Sequence, residues 1–396
     1  MRTFFLLDID CFFASVEMAL NPALRGVPLC VGGLRTDRGI VACPNYEARR
    51  YGVRTAMALR TAARMLPPEA VFVRGQYKLY GEYSDRVMGV LTEFTPDVEQ
   101  VSVDEAYMDV TGCLHLWGHD PRRMAAAMQE RIMQECGLSV SIGGASNRIC
   151  AKIAAGVRKP GGLLIVPHGA EREFLAPLPV EAVPGIGKKT TPVLHACGIR
   201  SVGEAMAHAE RQGNGERVSA LCRFIASCAV SSEEPIIAHD HVEKSVSRDR
   251  TFGEDTADAD AIRATLYYLT ERCCKTLRQD GLRASTVSVR VRFTDFITVQ
   301  KQAPLTLPSS NEEDLFAVAR RLLVLLRPPS RRIRLVGVKA SGLSPAAEEQ
   351  LTLGVLPDEK INTLHRRLDV LQTRYGYTSI RWGITCGVAG RREERD

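Results

Sequence analysis

The chain has 396 residues, 45% hydrophobic and 25% charged, the make-up of an ordinary folded protein rather than of a disordered or collagen-like one. At this length two to four domains are expected. The formal net charge of +6 alone does not mark a nucleic-acid binder, but residues 242–342 hold 18 Lys and Arg against 12 Asp and Glu, so the whole excess sits in one segment. Twelve cysteines run from Cys11 to Cys386 with no C-x-x-C pair and no histidines at zinc-ligand spacing, which reads as reduced thiols of a cytoplasmic protein. The first residues enter a strand-like run containing Asp8 and Asp10, unlike a signal peptide, and no uncharged stretch is long enough to span a bilayer, so no membrane partner is expected.

Residues 3–9 predict a buried strand, and Asp10 stands where it would N-cap a following helix over 11–20. Asn21-Pro22 ends that helix, and 27–33 predict a second strand. Two short helices are expected between Asn45 and Leu66, broken at Gly52, the first capped by Asn45 and the second stopped by Pro67-Pro68. Then come a helix over 80–93, two strands meeting near Asp104, a helix over 122–135, a strand at 139–145, a helix over 148–158 and a strand at 163–166. Together they make a mixed α/β core ending near 166. Residues 167–233 predict helices only, followed by a polar linker. Beyond it the pattern is strand, helix, two strands, helix, strand. The helix at 259–279 puts Ile262, Leu266, Leu269, Cys273 and Leu277 on one face. The strand at 286–293 alternates Val287, Val289, Val291 and Phe293 with Ser288, Arg290 and Arg292, giving one buried face and one basic face suited to a phosphate backbone. After 343 the chain is expected to be weakly structured, with one amphipathic helix around 358–374.

Two acidic clusters stand out against this background. Asp8 lies in FFLLDIDCFF, and Asp104 and Glu105 lie in VSVDEAYMDV, each interrupting an apolar strand. Carboxylates there cost free energy unless they are paired, hydrogen-bonded or bound to a cation. With Asp10 assigned to capping, Asp8 alone is taken from the first cluster. Asp104 and Glu105 would point to opposite sides of a continuous strand, but a tight turn brings both to one end of a hairpin, facing Asp8. Three carboxylates so gathered form a pocket for a hard divalent ion, Mg²⁺ first among them, and such a pocket supports two-metal phosphoryl chemistry. Tyr46 and Arg49, three apart at a helix start, face the same way. The run VPGIGKKT at 183–190 is similar to a helix-hairpin-helix element: Gly185 and Gly187 let the backbone approach a phosphate, and Lys188 and Lys189 add charge. Such a contact is blind to base sequence.

The runs FFLLDIDCFFASVE, NYEARRYGVRTAM, SVDEAY and AKIAAGVRKPGG occur in the order, and with spacing similar to that, of Y-family translesion DNA polymerases, and over residues 1–342 the chain resembles the DinB type. The resemblance implies an α/β and α+β multidomain, right-hand polymerase. Palm and fingers would occupy 1–166 (small fingers about 11–76), a helical thumb 167–233, a linker 234–243, a βαββαβ little finger 244–342 and a C-terminal tail 343–396. It implies template-directed, low-fidelity synthesis on primer–template DNA from deoxynucleoside triphosphates. A non-catalytic DNA-binding relative that recruits other polymerases is the alternative, and it is disfavoured by the three retained acids.

Within that family the acids hold two Mg²⁺ ions, which implies Asp8, Asp104 and Glu105 as catalytic residues here, with the Ile9 carbonyl and Phe12 lining the site. Phe13 falls on the aromatic steric gate that rejects a 2′-hydroxyl by clash. Tyr46, Arg49 and Lys159 fall on triphosphate-binding positions. Cys43-Pro44 replaces the hydroxyl-bearing residue and small neighbour common before NYEAR, so one phosphate hydrogen bond is expected to be lost or moved to backbone. Arg248, Arg250, Arg290, Arg292, Arg332 and Arg334 become candidates for DNA-backbone contact across the little finger sheet. Gln350, Leu351, Thr352 and Leu353 stand where many relatives carry a sliding-clamp peptide, with Gly354 in place of its terminal aromatic. The chain is expected to act as a monomer.

Overall fold

The computed structural model describes residues 2–211, 217–230, 243–326, 331–346, 359–386 and 388. The chain divides into two compact units, Met1–Asp240 and His241–Asp396. No helix among the described residues is long and apolar enough to cross a membrane. The described cysteines are free, and most are buried.

In the first unit β1 (Phe4–Ile9) is followed by α1 (Phe12–Leu20), β2 (Leu29–Val31), β3 (Cys43–Pro44), α2 (Tyr46–Arg50), α3 (Leu59–Met65), β4 (Val71–Val73) and α4 (Tyr77–Thr92). Next come β5 (Val98–Gln100), β6 (Glu105–Asp109), α5 (Pro121–Cys136), β7 (Val140–Ala145), α6 (Arg148–Val157) and β8 (Leu163–Ile165). The main sheet has the order β5-β6-β1-β7-β8, and β2, β3 and β4 form a small separate sheet. β1 is central and covered on both faces. Phe5, Leu7 and Ile9 pack among residues of α1, α4 and α5, whereas Leu6 packs with Cys150, Ala151 and Ala154 of α6. A strand buried on both sides needs no polar alternation, which is why this run is continuously apolar. α6 lies directly on the sheet because β7 offers Gly143, where a Cβ would overlap the backbone of Ala151 and Ala155. Helices α7 (Glu171–Leu175), α8 (Thr191–Ala196), α9 (Val202–Arg211) and α10 (Arg217–Ser227) follow. Their apolar residues, among them Leu175, Leu194, Met206 and Ile225, join the α6 cluster.

The start of α1 departs from the expectation. Its N-cap is Cys11, in the left-handed conformation at φ 38° and ψ 54°, with no side-chain cap. Asp10 is 1% exposed and accepts hydrogen bonds from Ser139 Oγ (2.8 Å), Ser141 Oγ (2.8 Å) and the Gly161 N–H (2.7 Å). A carboxylate buried this deeply is better satisfied by three converging donors than by one helix amide.

The second unit runs β9 (Ser245–Thr256), α11 (Ala259–Gln279), β10 (Leu282–Phe293), β11 (Thr298–Ser309), α12 (Glu312–Leu326) and β12 (Ile333–Pro345). This is the βαββαβ order read from the pattern, folded as a sheet β11-β10-β12-β9. Val287, Val289, Val291 and Phe293 share a core with Ile262, Leu266, Leu269, Cys273 and Leu277 of α11 and with Leu315 and Leu322 of α12.

The tail is more ordered than the sequence suggests. Helix α13 (Glu359–Tyr375) docks on α11 and α12 mainly through polar groups, which hydropathy does not reveal. Arg278 of α11 donates to Asp369 (2.6 and 3.0 Å), to both oxygens of Glu312 (3.0 and 2.8 Å) and to Ser310 O (3.0 Å). All five guanidinium donors are thereby used. His365 is 1% exposed, with Nδ1 2.9 Å from Glu312 Oε2 and Nε2 3.5 Å from Glu313 Oε1. Glu312, Glu313 and His365 are close enough to hold a metal ion, but a cation would sit beside the Arg278 guanidinium, so the cluster is an ion-pair network. The clamp-like residues 350–354 lie outside the described residues.

Burial by itself would lower the His365 pKa, but Glu312 and Glu313 outweigh it and raise the value to about 9. A base whose folded pKa exceeds its ordinary 6.5 stabilises the fold fully below that value, and the contribution is lost as pH rises through about 9. Docking of α13 is therefore expected to weaken by on the order of 2 kcal/mol between pH 7 and pH 10. Fluorescence of Trp382, whose ring lies 6.1 Å from His365, should report the loosening, and His365→Gln should flatten the profile. Identical pH profiles for the two proteins would refute the assignment.

Candidate active site

β1 and β6 pair so that Asp8 stands directly opposite Glu105, and the Ile9 N–H donates to Asp104 O at 2.9 Å. The β5–β6 hairpin turns just before Glu105, so Asp104 lies in the turn and not on the opposite face of a strand. Its side chain accepts a hydrogen bond from Ser102 Oγ (2.5 Å). Asp8 shares strand parity with Leu6, and Glu105 with Tyr107, so both acids face α6. Two lysines meet them there. Lys152 Nζ donates to Glu105 Oε2 at 2.6 Å, and Lys159, just beyond α6, pairs with Asp8 Oδ1.

Burial pushes the Asp8 carboxyl up to about 6 against the pull of Lys159, and Glu105 adds to the rise. For Lys152, burial works towards a lower value, but Glu105 holds it above its ordinary one. Among the described residues three carboxylates, Asp8, Asp104 and Glu105, meet only two lysines in this cluster, which leaves an excess of negative charge. Its donors are carboxylate oxygens with the Ile9 backbone beside them, the set that hard divalent cations prefer, so these residues fit such an ion.

Asp8 and Asp104 open onto a cleft of about 220 Å³, with Glu105 beside Asp8 but outside its lining. Asp8, Ile9, Asp104 and Lys159 line it together with Phe12, Phe13, Cys43, Tyr46 and Arg49, and so do Cys11, Ala42 and Thr55, which the sequence reading did not single out. α2 positions two of these groups. Asn45 Oδ1 accepts from the Ala48 N–H (2.9 Å), capping the helix, and from the Leu29 N–H (2.9 Å), tying it to β2. The Arg49 guanidinium lies 5.2 Å from the Tyr46 ring centre, and Arg49 Nε donates to Pro44 O (3.1 Å). The Tyr46 hydroxyl donates to Asp10 Oδ1 (3.3 Å). Asp10 thus joins the wall that carries Tyr46 to the loop that carries Lys159, a positioning role that no local pattern announces. Burial raises the Cys43 thiol, outweighing the backbone hydrogen bonds from Ala14 and Phe13. A neutral thiol is a weak donor compared with the hydroxyl expected at that position.

The Phe13 ring is held by aromatic neighbours. It stacks on Tyr80 (centroids 4.6 Å apart, planes at 17°) and meets Tyr77 edge-on (5.6 Å, 88°). The Tyr80 hydroxyl donates to Glu17 Oε1 (2.5 Å), and Gln76 Nε2 donates to the same oxygen (3.2 Å). Tyr80 and Glu17 were missed because the contact joins α1 to α4 across a long sequence separation.

The remaining candidates lie elsewhere. Gly185 has φ +95°, a conformation only glycine adopts without strain. It lies in the turn before α8, where Lys188 and Lys189 are exposed. In the second unit the six arginines do not share one face. Arg290 and Arg292 alternate with the core valines of β10, and Arg290 pairs opposite Gly337 and Gln300 on the open side. Lys339 is opposite Ser288 on that same side and was missed. Arg248 donates to Thr276 of α11 (3.1 Å), and the Arg250 guanidinium lies over the Tyr268 ring (5.4 Å). Both follow the parity of buried Val246 and face the helices. Arg332 donates to Asp255 O (2.9 Å), and Arg334 lies over Phe296 (4.4 Å). β9 lacks a clean apolar alternation, so the face its arginines take depends on the register with β12.

Residues 7–156 match the impB/mucB/samB family, residues 243–353 its C-terminal domain and residues 168–199 the IMS family HHH motif. The chain is 37% identical over 381 residues to a DNA polymerase IV of Dehalococcoides mccartyi, covering 96% of each chain. It belongs to the Y family of DNA polymerases. Among solved structures it is similar to a Y-family DNA polymerase chimera, with 27% identity, a TM-score of 0.75 and coverage of 86% of this chain and 98% of that one. An insertion ternary complex of Dbh DNA polymerase is similar at 28% identity and a TM-score of 0.58, with the same coverage. Dependence on a divalent metal ion comes with membership of this family.

Proposed function

We propose that this Y-family polymerase extends a primer 3′ end on damaged or mispaired templates, with Asp8, Asp104 and Glu105 as the catalytic acids. The observation that carries the reading is the register that sets Asp8 opposite Glu105 beside the Asp104 backbone, at the mouth of a cleft whose other wall is basic and aromatic. Two Mg²⁺ ions, when held by these acids and the Ile9 carbonyl, would supply the charge that activates the primer hydroxyl and stabilises the leaving pyrophosphate. Arg49 and Lys159 bind the triphosphate, Arg49 through paired N–H donors and Lys159 as a mobile charge that leaves Asp8 for a phosphate oxygen. Tyr46, anchored on Asp10, adds a hydroxyl to that grip. Phe12 and Phe13 lie under the incoming sugar and base, and Cys43 leaves one phosphate contact weak.

In this reading residues 1–166 are palm and fingers, 167–233 the thumb, 244–342 the little finger, and 343–396 a tail. Lys188, Lys189, Arg290 and Arg292 contact the DNA backbone. With about four such contacts, affinity should fall with salt at a log–log slope of roughly −3 to −4. The pair Arg290→Ala and Arg292→Ala should reduce the slope by about two, whereas Arg248→Ala should leave it unchanged. A flat salt response in the parent protein would remove both segments from the interface. The enzyme works in the cytoplasm as a monomer, with the 350–353 peptide as its link to a sliding clamp. Primer extension with Mg²⁺ and the four deoxynucleotides tests the whole reading. A protein that binds primer–template DNA yet adds no nucleotide would be the non-catalytic, polymerase-recruiting relative instead.

A further inference from the structure

Among the described residues, Lys152 is a cationic partner of a catalytic acid that the proposed reaction leaves unused. Its Nζ lies 2.6 Å from Glu105 Oε2, with the two side chains 36% and 20% exposed. Its position is rigidly set. α6 is capped by Asn147, whose Oδ1 accepts from the Cys150 N–H at 2.8 Å, and Gly143 lets the helix lie directly on the sheet. One turn away Arg148 stacks over Tyr107 at 4.2 Å and donates to Glu99 at 2.8 Å. The Lys152 stem therefore rises over the end of β6, where Glu105 begins the strand.

The two lysines of the site differ in what they do next. Lys159 lines the cleft and has a phosphate to move to when nucleotide arrives. Lys152 projects from the helix itself and is not among the residues lining the cleft, so its counter-charge is Glu105. A fixed ammonium at this distance competes with any cation for the same carboxylate, because like charges near one ligand oppose each other.

We infer that Lys152 is a positioning residue that holds Glu105 in place and sets, by competition, how much divalent ion the acid cluster needs. The inference rests on the metal-binding reading of Asp8, Asp104 and Glu105. Loading is then an exchange in which Glu105 gives up the Lys152 ion pair for the metal. The pair is accessible enough to break, and its strength is that of a partly exposed bridge. Removing the charge should tighten cation binding by about three- to ten-fold.

The experiment titrates the full-length, DNA-free protein with Mn²⁺ alone, following free ion by electron paramagnetic resonance, and separately measures the Mg²⁺ concentration for half-maximal primer extension. Lys152→Met should lower both the Mn²⁺ dissociation constant and the Mg²⁺ half-saturation by the stated factor, and Lys152→Arg should restore both. If either quantity is unchanged or raised in Lys152→Met, the inference is overturned. That includes the case in which only the melting temperature changes, as a merely structural ion pair would have it. Asp104→Ala separates the two levels of the argument. Equal Mn²⁺ binding by that variant and the parent would mean that the metal-binding reading itself has failed. Loss of binding in Asp104→Ala, with no change in Lys152→Met, would sink only the role of Lys152.

Discussion

Asp8→Asn will abolish primer extension and yet raise the melting temperature of the protein free of DNA and metal. The first effect follows from the site. Asp8 stands opposite Glu105, and an amide in its place brings neither the charge nor the second oxygen that a divalent ion requires. Loss of transition-state charge stabilisation of this kind amounts to about a thousand-fold or more in rate. The second effect follows from the cost of the charge. Burial and Glu105 push the Asp8 carboxyl up to about 6 in spite of Lys159. An acid with a raised folded pKa destabilises the fold at neutral pH, and the penalty grows as pH rises from its ordinary 3.8 through about 6. Replacing it by a neutral isostere should therefore stabilise by about 1–3 kcal/mol, or a few degrees. Calorimetry and gel-based extension assays on one preparation check both halves, with DNA affinity expected to survive. An Asp8→Asn protein that still extends primers, or that melts below the parent, contradicts this account.

Phe13→Ala should let the enzyme accept ribonucleotides, reducing discrimination between the two sugars by roughly a hundred-fold or more, because a steric gate works only while the ring occupies its volume. The ring is held by the stack on Tyr80 and the edge of Tyr77, and Tyr80 is itself fixed by its hydrogen bond to Glu17. A gate braced in this way discriminates sharply because the ring cannot swing aside without breaking the stack. Tyr80→Leu should therefore relax selectivity in the same direction but by less, with the gate present and unbraced. Single-nucleotide incorporation with matched ribo- and deoxyribonucleotides measures both. Unchanged sugar selectivity in Phe13→Ala would remove the gate assignment.

What could be read in advance was what lies close together along the chain or repeats with a short period. The βαββαβ order of the second unit and the buried stripe of α11 follow from apolar periods of two and near four. The meeting of Asp8 with Asp104 and Glu105 was readable because charges on otherwise apolar strands need an explanation, and a hairpin supplies one. Register and long-range satisfaction were not readable. Asp10 looks like a helix cap until Ser139, Ser141 and Gly161 arrive from more than a hundred residues away. Arg248 and Arg250 look like partners of Arg290 until pairing with β12 puts Val246 inward and the arginines with it. The docking of α13 escaped because its buried positions include His365 and Gln372, which no hydropathy pattern assigns to an interior.

The amino-acid order by itself determined the element types, the family and which groups are the candidates for the reaction, since strand parity, helical stripes and contiguous motifs are local properties. Only the tertiary structure decided which cation stands beside which acid, which face each arginine takes and what holds the Phe13 ring. Those outcomes depend on strand register and on packing between distant segments, and a one-residue shift in register would have reversed them without altering any local pattern.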